Sequence, residues 1–510
     1  MQHYMGVDIG TTGTKAVIFN KQGQVIASGY YEYPIYSDIA TMAEQDPSEI
    51  FSAVIAAMRT SVHKAGIAPE SIQFVSFSSA MHAVVAVNEI DEPITRCITW
   101  ADQRAHKYAV ELRATAQGTD IYKRTGTPIH AMSPLCKLLW LKQEHPDIHQ
   151  SAHKFIGIKE YVFFKLFGRY VVDYSIASAT GMFNHQTLDW DSECLALTGI
   201  TVDKLPHPVP STTVLRGLNP HYAKDMGIHP DTPFVIGAAD GCLSNLGVNA
   251  IAPGVAAITI GTSAAIRTVT DRPVSDEQGR VFCYILDDAH YVVGGPLNNG
   301  GIILRWIRDE ICTSVVQTAK RLGTDPYNVM SDIAQVVTPG SEGLLMLPFL
   351  AGERAPLWDA NARGTFFGLG LNHRKEHMIR AAFEGVLFNI KSVMNVIEEV
   401  SGIPTKVQAT GGFARSQLWR QMMSDILDKR ISIPEAIESS CLGAVILGMK
   451  ATGVISDYSA VADMVGETYT HTPDPDTSAL YQELASIYND VSHALRDQYD
   501  KMAAFQEKHC

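Results

Sequence analysis

Val7-Asp8-Ile9-Gly10-Thr11-Thr12-Gly13-Thr14-Lys15 has a pattern that returns 251 positions later as Ile258-Thr259-Ile260-Gly261-Thr262-Ser263-Ala264-Ala265. Both copies read apolar strand, then Gly-Thr, then Thr or Ser. The flanking runs are Tyr4 to Ile9 and Ala16 to Phe19 in the first copy, Val255 to Ile260 and Ala264 to Val269 in the second. They are rich in strand-forming residues, so each copy predicts a hairpin closed by a tight polar turn. Glycine lets the backbone approach a ligand, and successive turn amides form a concave anion site that Thr and Ser hydroxyls line. One such turn is commonly a plain hairpin. Two of them half a chain apart predict a duplicated fold with phosphate-binding hairpins facing each other across a cleft. The ligand that suits them is a nucleotide triphosphate.

A length of 510 residues predicts two or more domains, each with its own core. Hydrophobic content of 46% and a charged fraction of 19% describe an ordinary globular chain. The net charge of -13, with no Lys/Arg-rich stripe, argues against a nucleic-acid partner. No secretory leader pattern is visible and no apolar run approaches the roughly 18 residues of a membrane span, so no membrane partner and a cytoplasmic location are expected. The eight cysteines are scattered without a C-x-x-C pair, which suggests neither a disulfide framework nor a zinc site.

Along the chain, a three-strand meander (Tyr4 to Ile9, Lys15 to Phe19, Gln24 to Tyr31) precedes an amphipathic helix from Pro47 to Ala65, with Asp46 as its N-cap. Further strands are expected at Phe74 to Ser78 and Ala83 to Val87, and a helical stretch at Ser133 to Gln143 leading into Pro146 to Phe155. Pro233 to Gly237 reads as a strand ending in the loop Ala238-Ala239-Asp240-Gly241. Later helices are expected at Gly301 to Ile311, Glu376 to Val400 and Ser416 to Leu427. Ala252-Pro253-Gly254 breaks the pattern, so domains of residues 1–249 and 250–510 are expected, both mixing strands with helices.

Several residues are candidates for chemistry. Asp8 ends the first strand ahead of the turn, where a carboxylate can hold Mg²⁺ through water or merely cap the turn. Asp240 sits among small residues, where it can accept a proton from a substrate hydroxyl or close an Asx-turn. His82, Trp100, Asp102, Arg104 and His130 lie at the ends of apolar runs, which suits a polar ligand pocket. Gly411-Gly412 separates a strand from a helix near Ser416, the arrangement in which a helix N-terminus meets a nucleotide. His145, His149 and His153 have helical metal-ligand spacing but no further ligand, and read as surface histidines. No P-loop, G-x-G-x-x-G, H-E-x-x-H or G-x-S-x-G motif is present.

The chain strongly resembles the FGGY carbohydrate kinases of the actin/Hsp70/sugar-kinase superfold. The resemblance is carried by Asp8-Ile9-Gly10-Thr11-Thr12, Ala80-Met81-His82, Trp100-Ala101-Asp102-Gln103-Arg104, Gly237-Ala238-Ala239-Asp240, Gly261-Thr262-Ser263, Gly352-Glu353-Arg354-Ala355-Pro356 and Gly411-Gly412-Phe413-Ala414-Arg415-Ser416. It implies an α/β fold of two ribonuclease H-like domains related by duplication, with a central catalytic cleft. Phe77 to His82, Arg124 to His130 and Pro296 to Gly301 are similar to the branch of the family that acts on gluconate.

What the resemblance implies is transfer of the γ-phosphoryl group of Mg·ATP to O6 of D-gluconate. Asp240 would be the catalytic base, and Asp8 would support Mg²⁺. Thr12, Lys15 and Thr262 would contact the β- and γ-phosphates, with Thr11 and Gly261 in the same turns. Gly301 and Arg305 would line the phosphate-to-ribose part, and Gly411, Gly412 and Ser416 the adenosine end. Met81, His82, Trp100, Asp102, Arg104 and His130 would form the sugar pocket, while Asp173 and Glu353-Arg354 read as structural. Arg104 is the expected partner of the gluconate carboxylate, because a guanidinium can hold it with two parallel bonds. The opposing reading is that Arg104 pairs with Asp102 and braces the wall. Another sugar or polyol kinase, such as a xylulose kinase, is the alternative within the family, and an actin-like or chaperone-like ATPase the alternative outside it. A homodimer is the expected assembly.

Overall fold

The computed structural model describes residues 2–435 and 438–509. The chain forms two compact units. The first comprises Met1–Ile251, Thr270–Val292 and Ala436–Gly466; the second comprises Ala252–Val269, Val293–Glu435 and Glu467–Cys510. The first passage from one unit to the other thus falls beside the break at Ala252-Pro253-Gly254, and the chain later returns to the first unit twice.

In the first unit, β1 (His3–Ile9) pairs antiparallel with β2 (Gly13–Phe19), placing Asp8 opposite Lys15. β2 continues the meander into β3 (Val25–Glu32). On its other edge β1 runs parallel to β4 (Ile72–Ser79), with Asp8 opposite Ser78. The six-stranded sheet is completed by β5 (Val214–Leu215) and β6 (Phe234–Ala239), in the order β5-β6-β4-β1-β2-β3. β1 is buried almost throughout, as a central strand covered on both faces should be.

Helix α1 (Pro47–Ala65) starts where Asp46 accepts the Ser48 and Glu49 N–H groups, and it stops at the left-handed Gly66. Its buried face, including Ile50, Val54, Ala57 and Met58, packs on β2 and β3. The other helices of this unit that bear on function are α2 (Pro134–Glu144), capped by the Ser133 hydroxyl, and α3 (Asp240–Gly247). The segment expected to be a loop at Asp240 is therefore the first turn of a helix. Small residues in Ala238-Ala239-Asp240-Gly241 let strand run into helix without an intervening loop.

The second unit repeats the arrangement. β7 (Val255–Ile260) pairs antiparallel with β8 (Ala264–Thr270) and parallel with β9 (Lys406–Gly411). β9 runs parallel to β10 (Arg430–Pro434), which pairs antiparallel with β11 (Glu467–His471). The expected helices form as α4 (Gly301–Trp306), α5 (Lys375–Ser401) and α6 (Gln417–Leu427). α4 is shorter than expected, because Ile307–Ile311 widens into a π-type turn.

Helix α7 (Ser439–Ala451) then belongs to the first unit, where it packs against β1, β4 and α3. It is apolar on nearly every side, with Cys441 to Met449 all buried, as a helix sandwiched within a unit must be. Two expectations are corrected here. The helix beginning at Pro146 ends at Ser151, and Lys154–Ile156 is a strand, so His153 shares no helix with His149. His149 is buried, with Nε2 3.0 Å from the Thr198 carbonyl, and is not a surface residue. No group of three or more metal-ligating side chains occurs among the described residues. No helix among them is long and apolar enough to cross a membrane.

Candidate functional site

The first turn, Gly10 to Gly13, is closed by the Gly10 N–H on the Gly13 carbonyl at 3.1 Å. Its outward carbonyls are taken by side chains: the Tyr33 hydroxyl donates to Gly10 O at 2.5 Å and Gln45 Nε2 to Thr11 O at 2.6 Å. Fixing the carbonyls fixes the peptide planes, which pre-orients the turn. The Thr12 side chain remains exposed at its tip.

Four charged side chains surround this turn. Asp8 accepts from the Ser78 hydroxyl at 2.6 Å, and its carboxyl is pushed up to about 6, first by burial and then by the neighbouring Asp240. Asp240 is the first residue of α3 and half-buried; its Oδ1 accepts the Gly241 N–H at 2.6 Å. Lys15, across the hairpin from Asp8, binds Glu438 through Nζ at 2.9 and 3.1 Å. Burial pulls the Lys15 ammonium down, but Glu438 more than offsets it, so its pKa is raised. The structure therefore brings Asp8, Thr11, Thr12, Lys15 and Asp240 to one corner of the first sheet.

The sugar-segment residues lie in the same unit, and Trp100 Nε1 donates to the Thr11 hydroxyl at 2.8 Å. Asp102, almost wholly buried, accepts from the Ala43 N–H at 3.0 Å and from the Arg104 N–H at 3.0 Å. Arg104 gives Nε and Nη2 to Asp102, with Nη2 2.8 Å from Oδ2, and pairs with Glu44 as well. Its guanidinium lies over the Trp140 ring, 4.4 Å from the centroid. The guanidinium expected to hold a substrate carboxylate thus already faces two carboxylates of its own chain, the bracing arrangement.

His82 adopts a left-handed backbone, φ 72°, uncommon for a residue with a Cβ. Its Nδ1 is 2.7 Å from the Ala179 carbonyl. Met81 is half-buried beside it. His130 is buried one turn ahead of α2, where Nδ1 accepts the Met132 N–H at 3.1 Å.

In the second unit, Gly261 N–H meets Ser263 O at 2.9 Å, making this turn one residue tighter than the first. Its carbonyls are held by backbone. The Gly301 N–H donates to Gly261 O at 2.7 Å, and the Gly300 and Ile302 N–H groups reach Thr262 O at 3.2 and 3.1 Å. Thr262 is exposed. Beside the turn opens a pocket of about 230 Å³, which Gly261, Thr262, Gly301, Arg305, Gly412 and Ser416 all line. Phe383, Phe413 and Trp419 supply an aromatic wall, and Asn328 and Ser331 supply polar groups. An apolar cleft with a few convergent polar groups is the usual form of a small-molecule site. Ser416 caps α6 by accepting the Trp419 N–H at 3.2 Å, and its hydroxyl is 2.9 Å from that of Ser331. Gly411 does not line the pocket. At φ 107° it lets β9 turn, and a Cβ there would fall on the Ile260 carbonyl.

Sequence reasoning missed Glu44, Gln45, Lys137 and Glu438. Only Asp46 stood out in Glu44-Gln45-Asp46, as a helix cap. Lys137 carried a signal, being the one charge in Pro134-Leu135-Cys136-Lys137-Leu138-Leu139-Trp140-Leu141. Glu438 had none, since it meets Lys15 only through the return of the chain to the first unit.

The chain matches the model of the FGGY family of carbohydrate kinases, N-terminal domain, over residues 3–247, and that of the C-terminal domain over residues 256–452. It is 55% identical over 511 residues to a gluconokinase of Bacillus subtilis (strain 168), covering 99% of each chain. Among solved structures, it is similar to a gluconate kinase of Lactobacillus acidophilus, with TM-score 0.92, 38% identity, 98% of this chain and 99% of that one covered. It is equally similar to a ligand-bound xylulose kinase of the same organism, with TM-score 0.93, 37% identity and coverage of 98% and 100%.

Proposed function

From the fact that this chain belongs to the FGGY family of carbohydrate kinases, we infer that it transfers the γ-phosphoryl group of ATP to O6 of D-gluconate, giving 6-phosphogluconate and ADP. The observation that carries the substrate is the 55% identity to a gluconokinase along essentially the whole of both chains. The xylulose kinase and gluconate kinase structures match this chain equally, at 37% and 38% identity, so the substrate rests on the relative at 55%.

Phosphoryl transfer asks the protein mainly for positioning and for stabilisation of charge on the moving group. Asp240 accepts the O6 proton as O6 bonds to the γ-phosphorus and the bridge to the β-phosphate breaks. Its place at the head of α3 keeps the carboxylate half-exposed yet fixed by the Gly241 N–H. Lys15 and the Thr12 hydroxyl contact the phosphates from the first turn. Asp8 fits Mg²⁺, since a hard cation relieves the repulsion that Asp240 imposes on its carboxyl. The ion neutralises phosphate charge when bound. In the second unit, Thr262 contacts phosphate, Gly301 and Arg305 line the way to the ribose, and Gly412 and Ser416 flank the adenosine. Met81, His82, Trp100, Asp102, Arg104 and His130 form the sugar pocket, with Arg104 bracing its wall.

The test is ADP release in a coupled assay with D-gluconate, xylulose and glycerol, and identification of the product by phosphorus NMR. A preference for xylulose or glycerol over gluconate would overturn the substrate. The same reading includes a cytoplasmic enzyme and a homodimer, the latter open to sedimentation velocity.

A further inference from the structure

We propose that Lys137 is a positioning residue that sets the preference for a sugar acid, joining the two sugar-binding segments and balancing the charge behind them. The proposal rests on the gluconate reading above. Lys137 is wholly buried on α2. Its Nζ donates to the His82 carbonyl at 2.6 Å and to the Ile98 carbonyl at 3.3 Å. Those carbonyls belong to the segments carrying Met81-His82 and Trp100-Asp102-Arg104. One ammonium therefore ties both walls of the pocket together, and it holds the carbonyl of the residue whose backbone is left-handed. Three residues further along the same helix, Trp140 supports the Arg104 guanidinium.

Charge makes the contact more than a brace. Arg104 is matched by Asp102 and Glu44, which leaves that group of three with one negative charge in excess. A charged Lys137 cancels it; a neutral one leaves a negative field where a carboxylate must dock. Asp102 favours the proton on the amine and Arg104 opposes it, while Cys97 and Cys136, whose thiols burial pushes up to about 12 and about 11, face it uncharged. Burial is the largest influence and brings Lys137 down to about 7, so its charge is lost within the physiological range.

The experiment measures KM for D-gluconate, KM for ATP and kcat from about pH 6 to about pH 8.5 in the wild type, Lys137→Met and Lys137→Arg. In the wild type, the gluconate KM should rise as pH passes about 7, with ATP KM flat. Lys137→Met should show a gluconate KM raised roughly tenfold or more at the acid end and no further rise, with ATP KM unchanged. Lys137→Arg, charged throughout, should remove the pH dependence. A gluconate KM in Lys137→Met equal to wild type, or a matching rise in ATP KM, would overturn the proposal. Should neither variant fold, a flat wild-type profile overturns it alone, and a rise confined to gluconate supports it. A wild type inactive on gluconate at every pH would instead remove the reading beneath it.

Discussion

The two Gly-Thr turns share a backbone plan and differ in chemistry. In each, the strand before the turn pairs antiparallel with the strand after it and parallel with a third. At the site where the first hairpin has Asp8 opposite Lys15, the second has Thr259 opposite Ala265. Where Asp8 meets the Ser78 hydroxyl on the parallel strand, Thr259 meets the Thr410 hydroxyl at 3.2 Å. Side chains tether the Gly10 and Thr11 carbonyls of the first turn, with the Tyr33 N–H on Thr12 O at 3.4 Å, whereas the N–H groups around Gly301 tether those of the second. The two copies keep the same strand pairing, differ by one residue in the turn, and carry charge at this position only in the first. The charged copy fits the reacting groups, and the neutral one, with its adjoining pocket, fits nucleotide binding.

The largest effect expected of this contrast comes from Asp240→Asn. Removing the proton acceptor while keeping the side-chain shape should lower kcat by roughly two or more orders of magnitude. Equilibrium binding of ATP should stay near wild type. Turnover close to normal would take the chemistry away from the charged corner.

Asp8→Asn comes next and should split function from stability. The Asp8 carboxyl titrates near 6 in the fold against 3.8 ordinarily, so its protonated form is the one folding favours. That favourable contribution is complete below 3.8 and is lost as pH rises through about 6. Asparagine keeps the acceptor for Ser78 and carries no charge, so in metal-free buffer at neutral pH the variant should melt about 2 °C or more higher. Activity should fall roughly tenfold or more. A lower melting temperature would show that burial and Asp240 together do not strain the Asp8 carboxylate.

On the neutral side, Thr262→Val should raise the ATP KM about tenfold, the worth of one hydrogen bond to a charged group, with melting unchanged. Lower stability with unaltered ATP kinetics would make the second turn purely structural. Thr259→Val should be the mildest, costing about 1 kcal/mol of stability by urea denaturation and leaving kcat intact. A catalytic defect there would erase the distinction between the copies.

The duplicated hairpins were legible because period-2 apolar runs and Gly-Thr turns are local. So was α1, announced by Asp46-Pro47 and an amphipathic stripe. Of the pocket residues, Gly261 and Thr262 were legible in the repeated turn and Gly412 and Ser416 in the strand-to-helix junction, whereas Gly301 and Arg305 came only through family resemblance, since three separate segments converge on the pocket. Asp240 was read into a loop because Ala-Ala-Asp-Gly carries turn residues, and the pull of the helix came from its burial within the unit. Arg104 was underdetermined: nothing in Trp-Ala-Asp-Gln-Arg says that Glu44, sixty residues away, will share its guanidinium. Glu438 was invisible for the same reason, its partner being distant in sequence, whereas Lys137 showed only as a lone charge in an apolar run, without its partners.

Helix α7 has a consequence for how the molecule is made. It closes one face of the first sheet, yet it is encoded after most of the second unit. A ribosome releasing residues in order presents β1 and β4 long before the helix that covers them, at synthesis rates of roughly 5–20 residues per second. For that interval the nascent sheet exposes an apolar face, and only the release of Ala451 ends it. Chaperone demand during translation should therefore track the time taken to reach that codon, and slowing translation between residues 250 and 440 should lower soluble yield.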